Sequence, residues 1–309
     1  GCLSQRYGAE LQEEIPEVDA FFGKFDWKGV LERMGEHFDE RIRNQRVLTT
    51  PDHYAYLKIS EGCNRTCSYC AIPIMTGKHK SRDFEELLEE CRALVKGGVK
   101  EILVVAQDLT YYGIDLYGKN RLAELIGRIA DIEGLEWIKL HYAYPAGFPL
   151  ELLTVMRERP NVCKYLDIAL QHCSDHMLQQ MRRGISKKQT IELIRKIRQE
   201  VPGIFIRTTL MTGHPGETAE DFEELCEFVR EMRFERLGVF PYSHEDDTWC
   251  DRHYQDDVPE EIKRKRANYA DTSRYSRRDR AFTNRTGCEG TYRPAGRGVL
   301  CRAYRTRFS

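Results

Sequence analysis

The sequence predicts an α/β fold in which six parallel strands alternate with helices and curl into a barrel or partial barrel. Three observations predict it. Apolar or β-branched runs recur at 54–59, 101–106, 136–141, 165–170, 203–209 and 235–240. Amphipathic stretches of helical period separate them. Polar residues gather just after each run, where barrels of this kind place their chemistry.

Each helix has a local cause. Residues 82–96 carry Phe84, Leu87, Leu88, Cys91, Leu94 and Val95 on one stripe and stop at Gly97-Gly98, a helix-ending pair. The run 122–132 repeats the pattern, and 190–201 does so up to Pro202-Gly203. The stretch 218–232 opens on Thr218 as N-cap, with Asp221 three residues on in a capping-box-like pair. Strands alternating with helices of this length imply βαβ units, and right-handed crossovers curl six of them round. Polar residues follow each strand: three cysteines after the first, Gln107 and Asp108 after the second, and His141 and Tyr142 after the third. Gln171 and His172 follow the fourth, Arg207, Thr208 and Thr209 lie late in the fifth, and Tyr242, Ser243, His244 and Glu245 follow the sixth.

The three cysteines, Cys63, Cys67 and Cys70, stand in the spacing Cys-x3-Cys-x2-Cys. Three thiolates this close can grip one face of a cubane iron–sulfur cluster and leave one iron open to a substrate or cofactor. Two other readings compete. Cys67 and Cys70 could be half of a zinc site, but no second Cys-x2-Cys exists. Disulfides fit poorly with eleven cysteines, an odd number, and with the lack of a secretory apolar segment.

Bulk properties narrow the class. A chain of 309 residues allows one large α/β domain with small appendages. Hydrophobic content of 41% and charged content of 31% fit a globular protein, and a net charge of −1 excludes a generic polyanion binder. Reduced thiols, no export signal and no transmembrane run point to the cytoplasm, with no membrane partner.

With Tyr69 before its last cysteine, this motif resembles that of the radical S-adenosylmethionine enzymes. More closely, the chain resembles the methylthiotransferase family. The likeness rests on 57–73 around the cysteines, on Gly77-Lys78-His79-Lys80-Ser81-Arg82 and on Ala106-Gln107-Asp108. It extends through Leu170-Gln171-His172 and Gly213-His214-Pro215-Gly216-Glu217-Thr218, and runs from residue 1 to about 265. One branch of that family modifies adenosine in transfer RNA. The other modifies the β-carbon of an aspartate in the twelfth small-subunit ribosomal protein. His141-Tyr142-Ala143-Tyr144-Pro145-Ala146-Gly147 and Tyr242-Ser243-His244-Glu245 resemble the ribosomal-protein branch. A near-neutral charge is compatible with a protein substrate, since nucleic-acid enzymes more often show a basic stripe.

The resemblance implies a partial TIM-type (β/α)6 radical S-adenosylmethionine barrel at 49–258. It implies a 4Fe-4S cluster on Cys63, Cys67 and Cys70, with S-adenosylmethionine on its open iron. Tyr69, Gln107, Asp108, Gln171, Arg207 and Gly213 are the expected cofactor-binding residues. Arg207 would pair with the cofactor's carboxylate, because guanidinium binds carboxylate bidentately. Gln107, Asp108 and Gln171 would accept from its ammonium or ribose, and Gly213 would let the backbone approach it. The implied partners are a ribosomal protein, met free or on the small ribosomal subunit, and an electron donor such as flavodoxin. Lys78, His79, Lys80 and Arg82 form a basic group that reads equally as a contact for an acidic substrate segment or as a solvated loop. His172 and Cys173 read as a packed strand-end pair, and Cys91 as core. Cys163, Cys226 and Cys250 lack ligand-like spacing.

The chain departs from the family at both ends. Residues 1–48 resemble a remnant of the family's N-terminal domain, with Cys2 as one ligand of a second cluster whose other two cysteines are absent. Residues 259–309 hold a charged helix-like run and then a tail with ten arginines and two acidic residues across 274–309. Such a tail cannot pack the small β-barrel, the TRAM domain, that ends family members. Asp247 stands where the family usually has glycine. A transfer-RNA enzyme and an inactive cluster-binding fragment are the alternative readings.

Overall fold

The computed structural model describes residues 1–24, 26–37 and 46–273; the arginine-rich tail expected at 274–309 lies outside them. Its six main strands are β1 (Tyr54–Lys58), β4 (Glu101–Val105), β5 (Trp137–Ala143), β6 (Val162–Gln171), β7 (Phe205–Thr212) and β8 (Arg236–Pro241). They form one sheet in the order β1-β4-β5-β6-β7-β8, and every neighbouring pair is parallel. Sequential order with right-handed crossovers puts all connecting helices on one face, as in a barrel, rather than on two. Two short strands, β2 (Ser60–Glu61) and β3 (Lys80–Ser81), form a separate antiparallel pair around the cysteine loop.

The expected helices are α4 (Phe84–Lys96), α6 (Leu122–Ala130), α9 (Lys187–Glu200) and α10 (Ala219–Met232). Five short helices stand beside them: α3 (Ile72–Thr76), α5 (Ile114–Tyr117), α7 (Glu151–Glu158), α8 (Asp175–Gln180) and α11 (Trp249–His253). The charged run near 259 becomes α12 (Glu260–Ser273), which packs on β8, β7 and α10. At the N-terminus, α1 (Cys2–Glu14) packs against α3, and α2 (Trp27–Arg33) follows.

The strands alternate in burial, which defines two faces. Ile102, Val104, Ile138, Leu140, Ile206 and Leu210 join the helix stripes in the core. Fully burying one such side chain stabilises by about 1.5–3 kcal/mol. The opposite face is half-open and carries charge. There Lys139 Nζ meets Glu101 2.6 Å away, and Arg207 Nη1 meets Asp167 at 2.5 Å across the register Asp167↔Arg207. Among the described residues, no helix is long and apolar enough to cross a membrane.

The capping box at Thr218 forms as expected and reaches further. Asp221 accepts from the Thr218 amide at 3.1 Å, from the Ser174 hydroxyl, and from His176 Nδ1 at 2.8 Å. Ser174 is itself the N-cap of α8, so one carboxylate ties two helix starts together. Burial alone would push the Asp221 carboxyl up, but the bonds from Ser174, His176 and Thr218 outweigh it and hold the group at about 2. A folded-state value below the unfolded one stabilises fully above about pH 4 and is lost as pH falls toward 2. Asp221→Ala is therefore expected to lower the unfolding free energy by roughly 2 kcal/mol at pH 7. Urea titrations of parent and variant check this, and equal midpoints at neutral pH would refute it.

Candidate active site

The cysteine loop leaves the C-terminal end of β1 and is held at three points. The Cys63 amide donates to the Gly77 carbonyl at 3.2 Å, and the His79 amide to Asn64 Oδ1 at 3.0 Å. Between the second and third cysteines, Ser68 makes three bonds to distant elements. Its amide donates to the Met181 carbonyl at 3.1 Å, and its carbonyl accepts from the Cys250 amide at 2.7 Å. Its hydroxyl lies 3.1 Å from His214 Nε2. His214 Nδ1 donates to the Pro215 carbonyl at 2.9 Å, which leaves Nε2 as the acceptor, and burial lowers this imidazole's pKa, favouring the neutral form.

The three thiols are free and half-buried. Burial raises Cys63 and pushes Cys70 up to about 11, and the neighbouring thiols add to both shifts. The three cysteines sit within eight residues of one loop, held by the contacts above. Soft thiolate ligands at this density suit an iron–sulfur cluster.

Two arginines near the cysteines both lie over one ring. The Arg65 guanidinium lies 4.0 Å from the Tyr144 ring centroid, and that of Arg183 lies 4.2 Å from it. Arg65 Nε donates to Asp108 Oδ2 at 2.7 Å, and its amide lies 3.4 Å from Cys63 Sγ. Arg183 is only 3% exposed. Its Nη1 donates to Cys67 Sγ at 3.1 Å and to the Tyr69 hydroxyl at 3.1 Å, while Nη2 donates to the Ala169 carbonyl. The Tyr144 hydroxyl donates to the Arg183 carbonyl at 2.8 Å. Burial works to lower the Arg183 pKa, yet Tyr69, Cys67 and Tyr144 together raise it, so the cation is secure.

The residues expected from sequence fall into separate roles. Gln107 Nε2 donates to Glu61, and its Oε1 is buried without a partner, an acceptor ready for a ligand's ammonium or hydroxyl. Gln171 ends β6 at φ +70 beside a register shift, and Tyr142, next to last in β5, takes φ +69. Non-glycine residues in this region cluster at functional sites. Asp108 differs from expectation. Both its oxygens are engaged, one by Arg65 and the other by the Thr110 amide at 2.9 Å, so it holds the cysteine loop. Arg207 pairs with Asp167 on the open face. Gly213, at φ +75, is closely approached by Lys263 of α12, whose Cγ would lie 2.2 Å from an added Cβ. That helix explains the glycine without a cofactor.

The basic group near 78–82 is not a continuous patch. His79 is buried against Tyr111, and Arg82 pairs with Glu86 and Glu90; Lys78 and Lys80 stay exposed. His172 and Cys173 are buried as expected, with His172 Nε2 3.3 Å from Glu217 Oε1. Cys91 is core. Cys250 is buried beside the Tyr242 hydroxyl, 3.3 Å away. Cys2 is exposed at the start of α1, the helix that packs on α3 just after the cysteine loop. Asp247 takes φ +62, which aspartate tolerates better than most residues, so the turn survives without glycine. Sequence reasoning missed Arg65, Ser68, Tyr144, Arg183 and His214 as site residues, although all but Arg183 lie inside motifs that it quoted.

Comparison with known proteins adds to this geometry. A family model described as the radical SAM superfamily matches residues 57–229. A relative from Porphyromonas gingivalis, named ribosomal protein uS12 methylthiotransferase RimO, is 66% identical over 266 residues, covering 86% of this chain and 61% of that protein. Proteins of the same name from Bacteroides fragilis and Flavobacterium johnsoniae are 63% and 52% identical, covering 86% and 87% of this chain and 62% and 61% of theirs. The chain thus spans about three fifths of the length of these curated relatives. Among solved structures, coproporphyrinogen III oxidase (HemN) from Escherichia coli, a radical SAM enzyme, matches with a TM-score of 0.53 at 20% identity, over 81% of this chain and 57% of that one. The methyltransferase TsrM from Kitasatospora setae also matches at 0.53, with 17% identity, over 64% of this chain and 38% of that one. Both support the fold, a partial TIM-type barrel. The matched span takes in the cysteine loop and carries through β7 into α10, and the chain belongs to the radical SAM superfamily.

Proposed function

We propose that this chain is the radical core of a methylthiotransferase that modifies the β-carbon of an aspartate in ribosomal protein uS12. The observation that carries this reading is the group of three free thiols at the end of β1, joined to relatives of that name at 52–66% identity. Cys63, Cys67 and Cys70 would hold a 4Fe-4S cluster, and the orphaned acceptor Gln107 Oε1 would receive the ammonium of S-adenosylmethionine. When bound, the cluster supplies the single electron that starts radical chemistry on that cofactor.

The chain's own residues supply position and dryness. Arg65 and Arg183 both contact the Tyr144 ring beside the cysteine loop, and Ser68 pins the loop to three elements. Tyr69 accepts from Arg183, and Gln171 ends β6. Lys139 and Arg207 lie on the open face of the sheet, each ion-paired there, with Glu101 and Asp167. Cys2, exposed at the start of α1, suits a ligand role in a second cluster that handles sulfur. The reaction belongs in the cytoplasm, with an electron donor such as flavodoxin.

The substrate is tested by offering a uS12 peptide and a transfer-RNA stem-loop separately under anaerobic, reducing conditions. A methylthio gain on the peptide's aspartate, read by mass spectrometry, is expected. A gain on the RNA alone would move the chain to the RNA-modifying branch.

A further inference from the structure

Arg183 is a buried cation without a carboxylate. Among the described residues no acidic group pairs with it, and its Nε is buried without any partner. A buried charge needs compensation, and a lone guanidinium in the interior is retained only where an anion meets it. Its partners here are a phenol, a carbonyl and a sulfur: Tyr69, Ala169 and Cys67. Of these, only the Cys67 sulfur becomes a full anion when it ligates metal. The guanidinium lies over the Tyr144 ring, which it shares with Arg65, and this contact restrains the fork.

We infer that Arg183 tunes the cluster's redox equilibrium by donating an N–H···S hydrogen bond to the Cys67 ligand and by supplying a fixed positive charge beside it. The inference rests on the cluster assignment above. Hydrogen bonds to ligand sulfur and nearby charge are among the factors that set iron–sulfur potentials. Reduction adds negative charge to the cluster, so a donor and a cation at Cys67 favour the reduced form. Arg183 acts through the sulfur and touches no reacting atom, which makes it a positioning residue.

The test is a potentiometric titration with dithionite of the reconstituted chain, following the cluster's reduced-state paramagnetic signal. Arg183→Met removes charge and donors, and its one-electron reduction constant is expected to fall at least about tenfold, about 59 mV more negative. Arg183→Lys keeps the charge and is expected to shift less. A pulsed paramagnetic-resonance measurement on the parent, with 15N at the two terminal guanidinium nitrogens of arginine, needs no variant to fold. It should show coupling to the cluster that disappears in Arg183→Lys. A loaded Arg183→Met cluster with unchanged potential, or the absence of that coupling in the parent, would overturn the inference. So would an unchanged potential accompanied by weaker S-adenosylmethionine binding, because the guanidinium would then serve the cofactor. A parent chain that takes up no iron would instead remove the cluster assignment itself.

Discussion

Cys63→Ala is expected to leave the fold intact and abolish the cluster. Cys63 Sγ is half-buried and receives only a long contact, 3.4 Å, from the Arg65 amide. Its loss removes little packing and exposes no buried charge, so the cost to the metal-free protein should stay within about 1 kcal/mol. That corresponds to a melting shift of about 2–4 °C at most. Metal retention should respond very differently. The cluster would lose one of three protein ligands, and iron bound after anaerobic reconstitution should fall from about four atoms per chain to less than one. Iron and sulfide assays beside a melting curve read both effects. Retention of about four irons by Cys63→Ala would show that another group supplies the ligand.

Gly62→Ala should be the most damaging small substitution in the site. Gly62 sits at φ +81 directly before the first cysteine. An added Cβ would lie 2.2 Å from the Lys78 carbonyl oxygen and 2.8 Å from that of Gly77. Both obstacles are backbone, so relief requires moving the β2–β3 pair, whose register is Ser60↔Ser81 and Glu61↔Lys80. Left-handed backbone costs an alanine about 1–2 kcal/mol, and the clash adds to it, for a total of about 3 kcal/mol or more. Thermal melting should fall by about 6–12 °C. Cluster loading should fall as well, since the Cys63 amide bonds to the Gly77 carbonyl on the displaced strand connection. Gly118→Ala is the control: it is the left-handed C-cap of α5 at φ +70, but open space surrounds its Cβ position. A loss of only about 1 kcal/mol is expected there. Equal losses at the two glycines would show that backbone crowding at Gly62 is not the cause.

The barrel was readable because its strands are β-branched runs and its helices carry clear stripes. Boundaries moved where local chemistry was ambiguous. β6 starts at Val162, three residues earlier than its apolar run, because Cys163 and Lys164 interrupt the pattern while still lying on the strand. β7 starts at Phe205, since Gly203 takes φ +80 and is still part of the turn after α9. α7 escaped because its eight residues bury only Leu152, Leu153 and Met156, too short a stripe to stand out.

The site divides in the same way. Cys63, Cys67 and Cys70 are neighbours in the chain, so their spacing alone carries the chemistry. Arg183 reaches Cys67 across 116 residues, and His214 reaches Ser68 across 146. Such partners meet only because parallel strands deliver their C-terminal ends to one mouth. Sequence adjacency also misled. Lys78, His79, Lys80 and Arg82 look like one basic patch, but His79 turns inward and Arg82 turns to α4's glutamates. Asp108 has the right chemistry to bind a cofactor, and Arg65 takes it.

The central claim, that Cys63, Cys67 and Cys70 make a radical-generating site, is tested most directly by product release. The reconstituted chain is incubated anaerobically with dithionite and S-adenosylmethionine, and 5′-deoxyadenosine is measured by chromatography and mass spectrometry. Release that requires the cluster and is lost in Cys63→Ala is the expected result. A chain loaded with about four irons that releases none, or one that binds a single zinc and no iron, would contradict the account.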